Sequence, residues 1–314
     1  MKANLIKLAS PWMKIVRLPN LFTAPGDSLA GFFIASIFPQ TYPATCRKAT
    51  LLAIVSILLY TFGVLLNDLA DRQEDAVMRP ERPIPSGKIS VGAASVATGF
   101  TLAIALIISH LAFPPFAWFV SILLALTITY YNFLAKHKRL QGAIAMGSCR
   151  GLNTFLGIAV LLNPNALTFQ AFLTVMTPVI AVTVYIAAVT WMADQEHTTQ
   201  YIGAIAIVPA LACLVGWLTT AFFLMTFRYR YSTLAIIPFL IVIFLLNEVA
   251  RKLYGRNVPP QKMQPSIGAY LRPLIFWQLS IVLLPENALS TIFAILLVLG
   301  WVCSRKLAKS IPQS

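Results

Sequence analysis

Long apolar runs, separated by short polar breaks, recur from one end of the chain to the other. A run of about 20 mostly apolar residues is long enough to cross a bilayer core as a helix. Such runs fall near residues 21–38, 49–66, 91–113, 115–135, 141–162, 168–191, 201–226, 232–248, 267–284 and 288–304. Only Pro285, Glu286 and Asn287 separate the last two, so one of them is expected to be tilted or re-entrant, leaving nine or ten helices. The runs are continuous and do not alternate with a period of two, which argues against a β-barrel. The fold class expected is therefore all-α, a polytopic membrane helix bundle. The longest polar connections, 67–90 and 249–266, are too short for an extramembrane domain, so residues 1–314 are expected to form one transmembrane domain. Within residues 1–18, apolar Leu5, Ile6, Leu8, Met13 and Ile15 mix with Lys2, Lys7, Lys14 and Arg17. That mixture predicts an interfacial amphipathic segment with snorkelling lysines, and no cleavable signal peptide.

Composition agrees with a membrane protein. Hydrophobic residues make up 58% of the 314 and charged residues only 11%, with a mean hydropathy of +0.78. A soluble domain carries about a quarter charged residues. The net charge of +14 would suggest nucleic acid in a soluble protein. Here its distribution removes that inference. With the N-terminus in the cytoplasm, 18 of the 24 Lys and Arg fall on the cytoplasmic side and four on the other, the remaining Arg150 and Arg272 lying within spans. This is a strong positive-inside bias, and it places the protein in the cytoplasmic (inner) membrane with the basic charge facing anionic lipid. A lipid bilayer is thus the expected environment, with neither nucleic acid nor an obligate protein partner inferred. Cys46, Cys149, Cys213 and Cys303 are scattered and suggest neither disulfides nor zinc.

The polar segment Asn67 to Ser90 stands apart. It holds five of the ten acidic residues, Asp68, Asp71, Glu74, Asp75 and Glu81, between two apolar spans. Ionisable groups at membrane depth are expensive and usually functional. Asn67, Asp71 and Asp75 fall at i, i+4 and i+8 and share one helical face, which Asp68 borders. Two carboxylates one turn apart repel by roughly 3 kcal/mol at an effective dielectric near 20. Mg²⁺, which takes oxygen ligands and often bridges carboxylates to phosphate, would reverse that sign. The spacing equally admits a solvated helix end whose acids pair with Arg72, Arg79 and Arg82. Beyond it, Pro80, Pro83 and Pro85 stop the helix and Ser86-Gly87 makes a turn. That rigid loop either aims Arg79 and Arg82 at a phosphate or is a stiff connector with positive-inside anchors.

Asn67-Asp68, Asp71 and Asp75, followed by Arg79-Pro80, Arg82-Pro83, Pro85-Ser86-Gly87 and Ile89-Ser90, resembles the first signature of the UbiA superfamily of intramembrane prenyltransferases. Arg17-Leu18-Pro19-Asn20-Leu21 with Gly31 is similar to that family's first-helix pattern. Tyr131 to Lys136, with Gly142, Gly147 and Gly151 in the next span, is similar to its tyrosine-to-lysine motif. Within the superfamily the chain resembles the divergent EboC-type branch. The resemblance covers most of the chain and implies a nine-helix UbiA-like bundle. It further implies that two Mg²⁺ ions, held by two acidic motifs, bind an isoprenyl diphosphate whose allylic cation is captured by a small aromatic or polar acceptor. On that resemblance Asn67, Asp68, Asp71 and Asp75 are metal ligands, and Asp71, Asp75 and Lys136 are catalytic. Lys136, with Lys138 or Arg139 nearby, would meet the diphosphate, joined by Arg82 and Arg17. Tyr130 or Tyr131 would steady the cation through its ring face.

The second acidic motif departs from the family's pattern. At the end of the sixth long span the chain reads Thr190-Trp191-Met192-Ala193-Asp194-Gln195-Glu196-His197. Thr198 stands four residues after Asp194, and Gln200 four after Glu196. The i, i+4 carboxylate pair is missing, and residues two apart do not share a helical face. Asp194 and Glu196 remain the expected second metal ligands, brought together only by a non-helical turn in the 192–200 loop. His197 reads as a polar loop residue. The degraded motif also admits a non-catalytic relative that binds or translocates a lipid-like precursor. A solute transporter fits less well, because the acids collect on one face and not at the midplane. Arg150, inside the 141–162 span, is expected to face the bundle interior. There it would either pair with an acid or bind an acceptor carboxylate.

Overall fold

In a computed structural model the chain is a bundle of helices. The structure describes residues 11–17, 21, 23–39, 41–163, 168–194 and 198–310. In chain order these hold α1 (Gly26–Ala35), α2 (Cys46–Ala70), α3 (Arg72–Met78), α4 (Val91–Ala112), α5 (Pro115–Tyr130), α6 (Arg139–Leu161) and α7 (Phe169–Ala193). Strand β1 (Gln200–Ile202), α8 (Val208–Thr226), α9 (Ile236–Leu253), β2 (Arg256–Val258), α10 (Pro260–Leu271), α11 (Leu274–Val282) and α12 (Ala288–Ser310) follow. Among the described residues eight helices are long and apolar enough to cross a membrane. Apolar α1 and the α10–α11 pair fill the remaining two of the expected positions. The 267–284 run is the broken one of the final pair, because Arg272-Pro273 divides it into two short helices. The 201–226 run begins as strand and short 3₁₀ turn before the helix, with β1 pairing antiparallel to β2.

Local chemistry sets the helix ends. The hydroxyls of Thr45, Ser90 and Thr168 accept from the backbone N–H three residues on, capping α2, α4 and α7. Pro114-Pro115 opens α5 where missing N–H groups cost nothing. In the membrane, polar side chains then cross-link neighbours, as Ser109 does with Ser121 at 2.8 Å between α4 and α5.

α6 is the axis of the bundle. It packs against α1 on one side, α7 on another and α5 on a third. Small residues permit this: Gly31 lies on the Thr154 carbonyl of α6, and Gly157 lies on the Ser28 carbonyl of α1. Without a hydrophobic drive between helices in lipid, such close backbone contact is the main source of association. The neighbours at both points are main-chain atoms, which cannot swing aside. A side chain at Gly157 therefore separates the two helices, at a cost of at least about 1–3 kcal/mol. Gly157→Leu is expected to lower the thermal transition of the purified protein in detergent by several degrees, whereas Gly99→Leu, at a site with open space around it, leaves it within error.

A second, smaller core sits under the proline loop. Ile84 and Ile89 are buried with Ile15, Leu65, Leu69 and Ala94. Ile15, from the described part of the N-terminal segment, is fully enclosed there; residues 1–10 lie outside the described part. The loop is thus clamped between the N-terminal segment and the ends of α2 and α4, and turn bonds such as Ser86 N–H to the Arg82 carbonyl (2.9 Å) hold its path.

Candidate active site

The α2 helix runs almost unbroken into α3. Asp71 sits at the joint, its N–H bonded to the Asn67 carbonyl at 2.9 Å and its carbonyl accepting from Asp75 N–H at 2.8 Å. The i→i−4 ladder therefore carries Asn67, Asp71 and Asp75 along one side, as their spacing predicts. Asp68 and Asp75 are buried, and Asn67 and Asp71 are half-buried.

Each carboxylate has a cation from a different segment. Arg82 of the proline loop donates from Nη1 to Asp75 Oδ2 at 2.7 Å and lies 3.9 Å from Asp68 Oδ1. Arg17 of the N-terminal segment reaches the same Asp68 oxygen at 3.5 Å. Its backbone holds a positive φ of 50°, costly for a non-glycine residue. Lys136 donates to Asp71 Oδ1. Arg72 instead bonds the Leu69 carbonyl and stays exposed, and Arg79 makes no ion pair among the described residues. Of the two arginines of the loop, only Arg82 reaches the acids.

Lys136 arrives by way of a wide turn. After Tyr130 the α5 helix passes into a π-helical turn over Tyr131–Ala135, with Lys136 N–H bonding the Tyr131 carbonyl at 3.0 Å. Such turns cluster at functional sites because the extra residue re-aims side chains. Gly142, at the start of α6, lets that helix close on the turn: a Cβ there would stand 3.1 Å from the Ala135 oxygen.

A cleft of about 140 Å³ is lined by Lys136 together with Tyr131, Arg139, Gly142, Ala143, Thr190, Ala193 and Asp194. Tyr131 lies within electrostatic reach of Asp71, Arg17 and Asp194 together. Of the two tyrosines the sequence offered, Tyr131 faces the cleft and Tyr130 is exposed. Lys138 is exposed as well. Arg139 lines the cleft but is partly engaged elsewhere. Its guanidinium stacks 4.4 Å from the Trp191 ring, bonds the Trp191 carbonyl at 3.3 Å and reaches Gln200 Oε1 at 3.4 Å. Gln200 in turn donates to the Met192 carbonyl at 2.7 Å. Asp194 ends α7 at the cleft rim, exposed to solvent. Glu196 and His197 lie outside the described residues.

Arg150 lies apart from these. Its Nε stands 2.9 Å from Asp27 Oδ2, and Gln278 Nε2 donates to the other Asp27 oxygen at 2.8 Å. Asp27 and Gln278 did not figure among the sequence candidates. The available signal was the presence of two opposite charges inside apolar spans, which membrane energetics forces into contact.

The donor set suits a hard divalent cation. Asp68 Oδ1 is buried without a hydrogen-bond donor, and three carboxylates and an amide gather within two turns of chain. Among the described residues no three Asp, Glu, His or Cys side chains stand close enough to form a ready-made metal cage. A cation that completes its shell with substrate phosphate needs only one or two of them. Three acids face three bases here, so the cluster is neutral as it stands. A phosphorylated ligand adds negative charge that the cluster offsets only with a further cation.

Removing Arg82 would leave the buried Asp75 carboxylate without its cation and Asp68 with Arg17 alone, a loss of about 3–5 kcal/mol for a buried pair broken on one side. Arg82→Met is expected to destabilise the purified protein strongly. The double change Arg82→Met with Asp75→Asn should recover part of that loss, and thermal denaturation of the four proteins of the cycle gives the coupling.

Comparison with known proteins bears on this arrangement. The sequence model described as "UbiA prenyltransferase family" matches residues 28–264. The digeranylgeranylglyceryl phosphate synthase of Methanococcus maripaludis (strain C6) is 31% identical over 150 residues, which are 48% of this chain and 52% of that protein. The synthase of the same name from Methanothermobacter thermautotrophicus is 37% identical over 130 residues, 39% of this chain and 46% of that one. The chain thus spans about half the length of the curated relatives it matches. Among solved structures, a UbiA homologue from Aeropyrum pernix K1 superposes with a TM-score of 0.62 at 17% identity, covering 84% of this chain and 97% of that one. A UbiA homologue from Archaeoglobus fulgidus bound to GPP and Mg²⁺ gives a TM-score of 0.53 at 16% identity, covering 87% and 99%. At such identities these structures establish the shared fold.

Proposed function

Because the chain belongs to the UbiA prenyltransferase family, we propose that it transfers an isoprenyl group from its diphosphate to a small aromatic or polar acceptor, with Mg²⁺ as cofactor. The observation that carries this reading is the neutral cluster of Asp68, Asp71 and Asp75 with Arg17, Arg82 and Lys136 beside the Tyr131 cleft. Residues 1–314 act as one UbiA-like unit, with 67–90 and 192–200 as its active-site loops. The relatives' names and the GPP and Mg²⁺ carried by the Archaeoglobus fulgidus protein support the substrate class.

The roles follow from charge and position. Asn67, Asp68, Asp71 and Asp75 are the oxygen donors that would hold Mg²⁺, with Asp194, at the rim of the cleft that Lys136 lines, and Glu196 as further candidates. Bound there, such an ion neutralises diphosphate charge and so makes the diphosphate a better leaving group. Lys136, Arg82 and Arg17 bind the phosphate oxygens with charge-assisted hydrogen bonds. In the free protein the same three cations neutralise the acids, which keeps the site assembled before substrate arrives. Arg139 holds the Trp191 end of α7 in place and lends positive charge to the cleft wall. Tyr131 presents its ring to the developing allylic cation, an interaction worth about 2 kcal/mol or more once water is excluded. The eighteen-to-four split of basic residues supports a cytoplasmic membrane location, with the N-terminus and the acidic site facing the cytoplasm.

A second reading has one observation in its favour. Thr198 stands where the family's pattern has a carboxylate four residues after Asp194, which suits a protein that binds or translocates a lipid-like precursor without turning it over.

A labelled-transfer assay separates the two. Membranes holding the protein are incubated with Mg²⁺, radiolabelled geranylgeranyl or farnesyl diphosphate and a total metabolite extract. A new labelled lipid is expected with the wild type, and a loss of at least about a hundredfold with Asp71→Asn, the scale of removing one essential charge-stabilising group. Retention of the diphosphate without any product supports the second reading, and full activity in Asp71→Asn removes Asp71 from the mechanism.

A further inference from the structure

Arg17, Arg82 and Lys136 are each matched by an acid, but Arg139 is not. Among the described residues its guanidinium meets only neutral groups. It stacks on the Trp191 ring at 4.4 Å, and it donates to the Trp191 carbonyl from Nε at 3.3 Å and to Gln200 Oε1 from Nη2 at 3.4 Å. Asp194 lines the same cleft but is exposed and makes no ion pair with it, so water screens that charge. Arg139 is half-buried and forms part of the cleft wall, so its charge is open to whatever enters there.

Gln200 is the residue that holds this charge in place. It is buried, and both ends of its amide are used: Oε1 accepts from Arg139, and Nε2 donates to the Met192 carbonyl at 2.7 Å. Its strand is itself fixed, since Gln200 lies opposite Val258 in the β1–β2 pair and Gly255 N–H bonds the Ile202 carbonyl at 2.8 Å. One side chain thus ties the start of α6 to the end of α7 and to β1. The bond to Met192 also fixes the backbone two residues ahead of Asp194.

The chemistry of the holder decides what the cleft can attract. A bond needed only for cohesion gains from a carboxylate, which is the stronger acceptor for a guanidinium. A carboxylate would also cancel the charge of Arg139, as the aspartates do for Arg17, Arg82 and Lys136. An amide and an indole ring hold the guanidinium without neutralising it. The outer cluster carries no net charge, so it gives an incoming anion no net attraction. Arg139 then supplies the standing positive charge on the wall that Lys136 shares, where the low dielectric beside the bilayer strengthens it.

We propose that Gln200 is a positioning residue of the diphosphate site: it fixes Arg139 on the cleft wall through a neutral amide, so that the guanidinium keeps its full charge for a phosphate group of the substrate. Gln200 touches neither substrate nor metal in this account and acts through Arg139 alone. The inference rests on the prenyl-transfer reading and adds to it a residue outside both acidic motifs.

The test compares two substitutions in the full chain, held in lipid nanodiscs with Mg²⁺ and titrated with labelled geranylgeranyl thiodiphosphate. Gln200→Leu removes the hold and leaves the charge of Arg139, and it is expected to weaken binding roughly fivefold, the size of about one neutral hydrogen bond. Gln200→Glu keeps an acceptor for Arg139 but neutralises it, and it is expected to weaken binding more than about tenfold, the size of a bond to a charged group. The predicted order of affinity is therefore wild type, then Leu, then Glu. A purely structural role predicts that Glu, which still bonds Arg139, binds more tightly than Leu. Any order other than the predicted one overturns the proposal. Absence of Mg²⁺-dependent binding in the wild type removes the prenyl-transfer reading itself, and this inference with it.

Discussion

A carboxylate at membrane depth must have a cation beside it, and in this chain that requirement organises the whole end of the bundle. Asp68, Asp71 and Asp75 sit within two turns at the α2–α3 joint, too close to coexist unpaired. Their partners come from three separate stretches: Arg17 before α1, Arg82 in the proline loop and Lys136 after the π-helical turn. Each pair therefore fastens a segment to the same point. The apolar clamp of Ile15, Ile84 and Ile89 around Leu65 and Leu69 works in the same direction, since it keeps Arg82 and the N-terminal segment over the acids. The side chains that hold the loops are the ones proposed to hold a diphosphate and its metal, so on that proposal the site is assembled before the ligand arrives.

The same rule operates again in the interior, with a different outcome. Asp27 and Arg150 neutralise each other between α1 and α6, at the crossing where Gly31 and Gly157 bring the backbones together. There the pair is locked by Gln278, and the bonds from Asn153 and Ser56 to the Ala24 carbonyl fix the chain just ahead of it. Close helix contact makes the electrostatic pairing possible, because the small residues let a short aspartate reach an arginine on its neighbour. The outer cluster has charge to exchange with an incoming ligand. The inner pair is closed on itself, with Gln278 on the remaining Asp27 oxygen.

Much of this was legible in the sequence. Apolar run length gave the spans, since a helix that must cross lipid leaves a long and nearly unbroken signal. The spacing of Asn67, Asp71 and Asp75 placed them on one face, and the prolines after Met78 marked the end of that helix. What escaped depends on tertiary contact. Spacing could not tell that Asp75 would choose Arg82 over Arg72 or Arg79, because the loop's path is set by where Ile84 and Ile89 find a core. It could not show the wide turn at Tyr131, where the chain passes from α-helical to π-helical bonding without a glycine or proline to mark it. The 267–284 run kept a continuous hydropathy through Arg272-Pro273, although a proline there divides the helix. Asp27 was visible but unread, for its partner lies more than a hundred residues away.

The claim on which the account turns is that the neutral cluster at the α2–α3 joint becomes a diphosphate site only when a divalent cation joins it. Titration of labelled geranylgeranyl thiodiphosphate into the purified protein in nanodiscs, with and without Mg²⁺, measures this directly. The account predicts saturable binding with Mg²⁺ that is abolished by EDTA and restored by added metal. Equal binding in EDTA would contradict it, and would mean that Arg17, Arg82 and Lys136 hold the diphosphate by themselves.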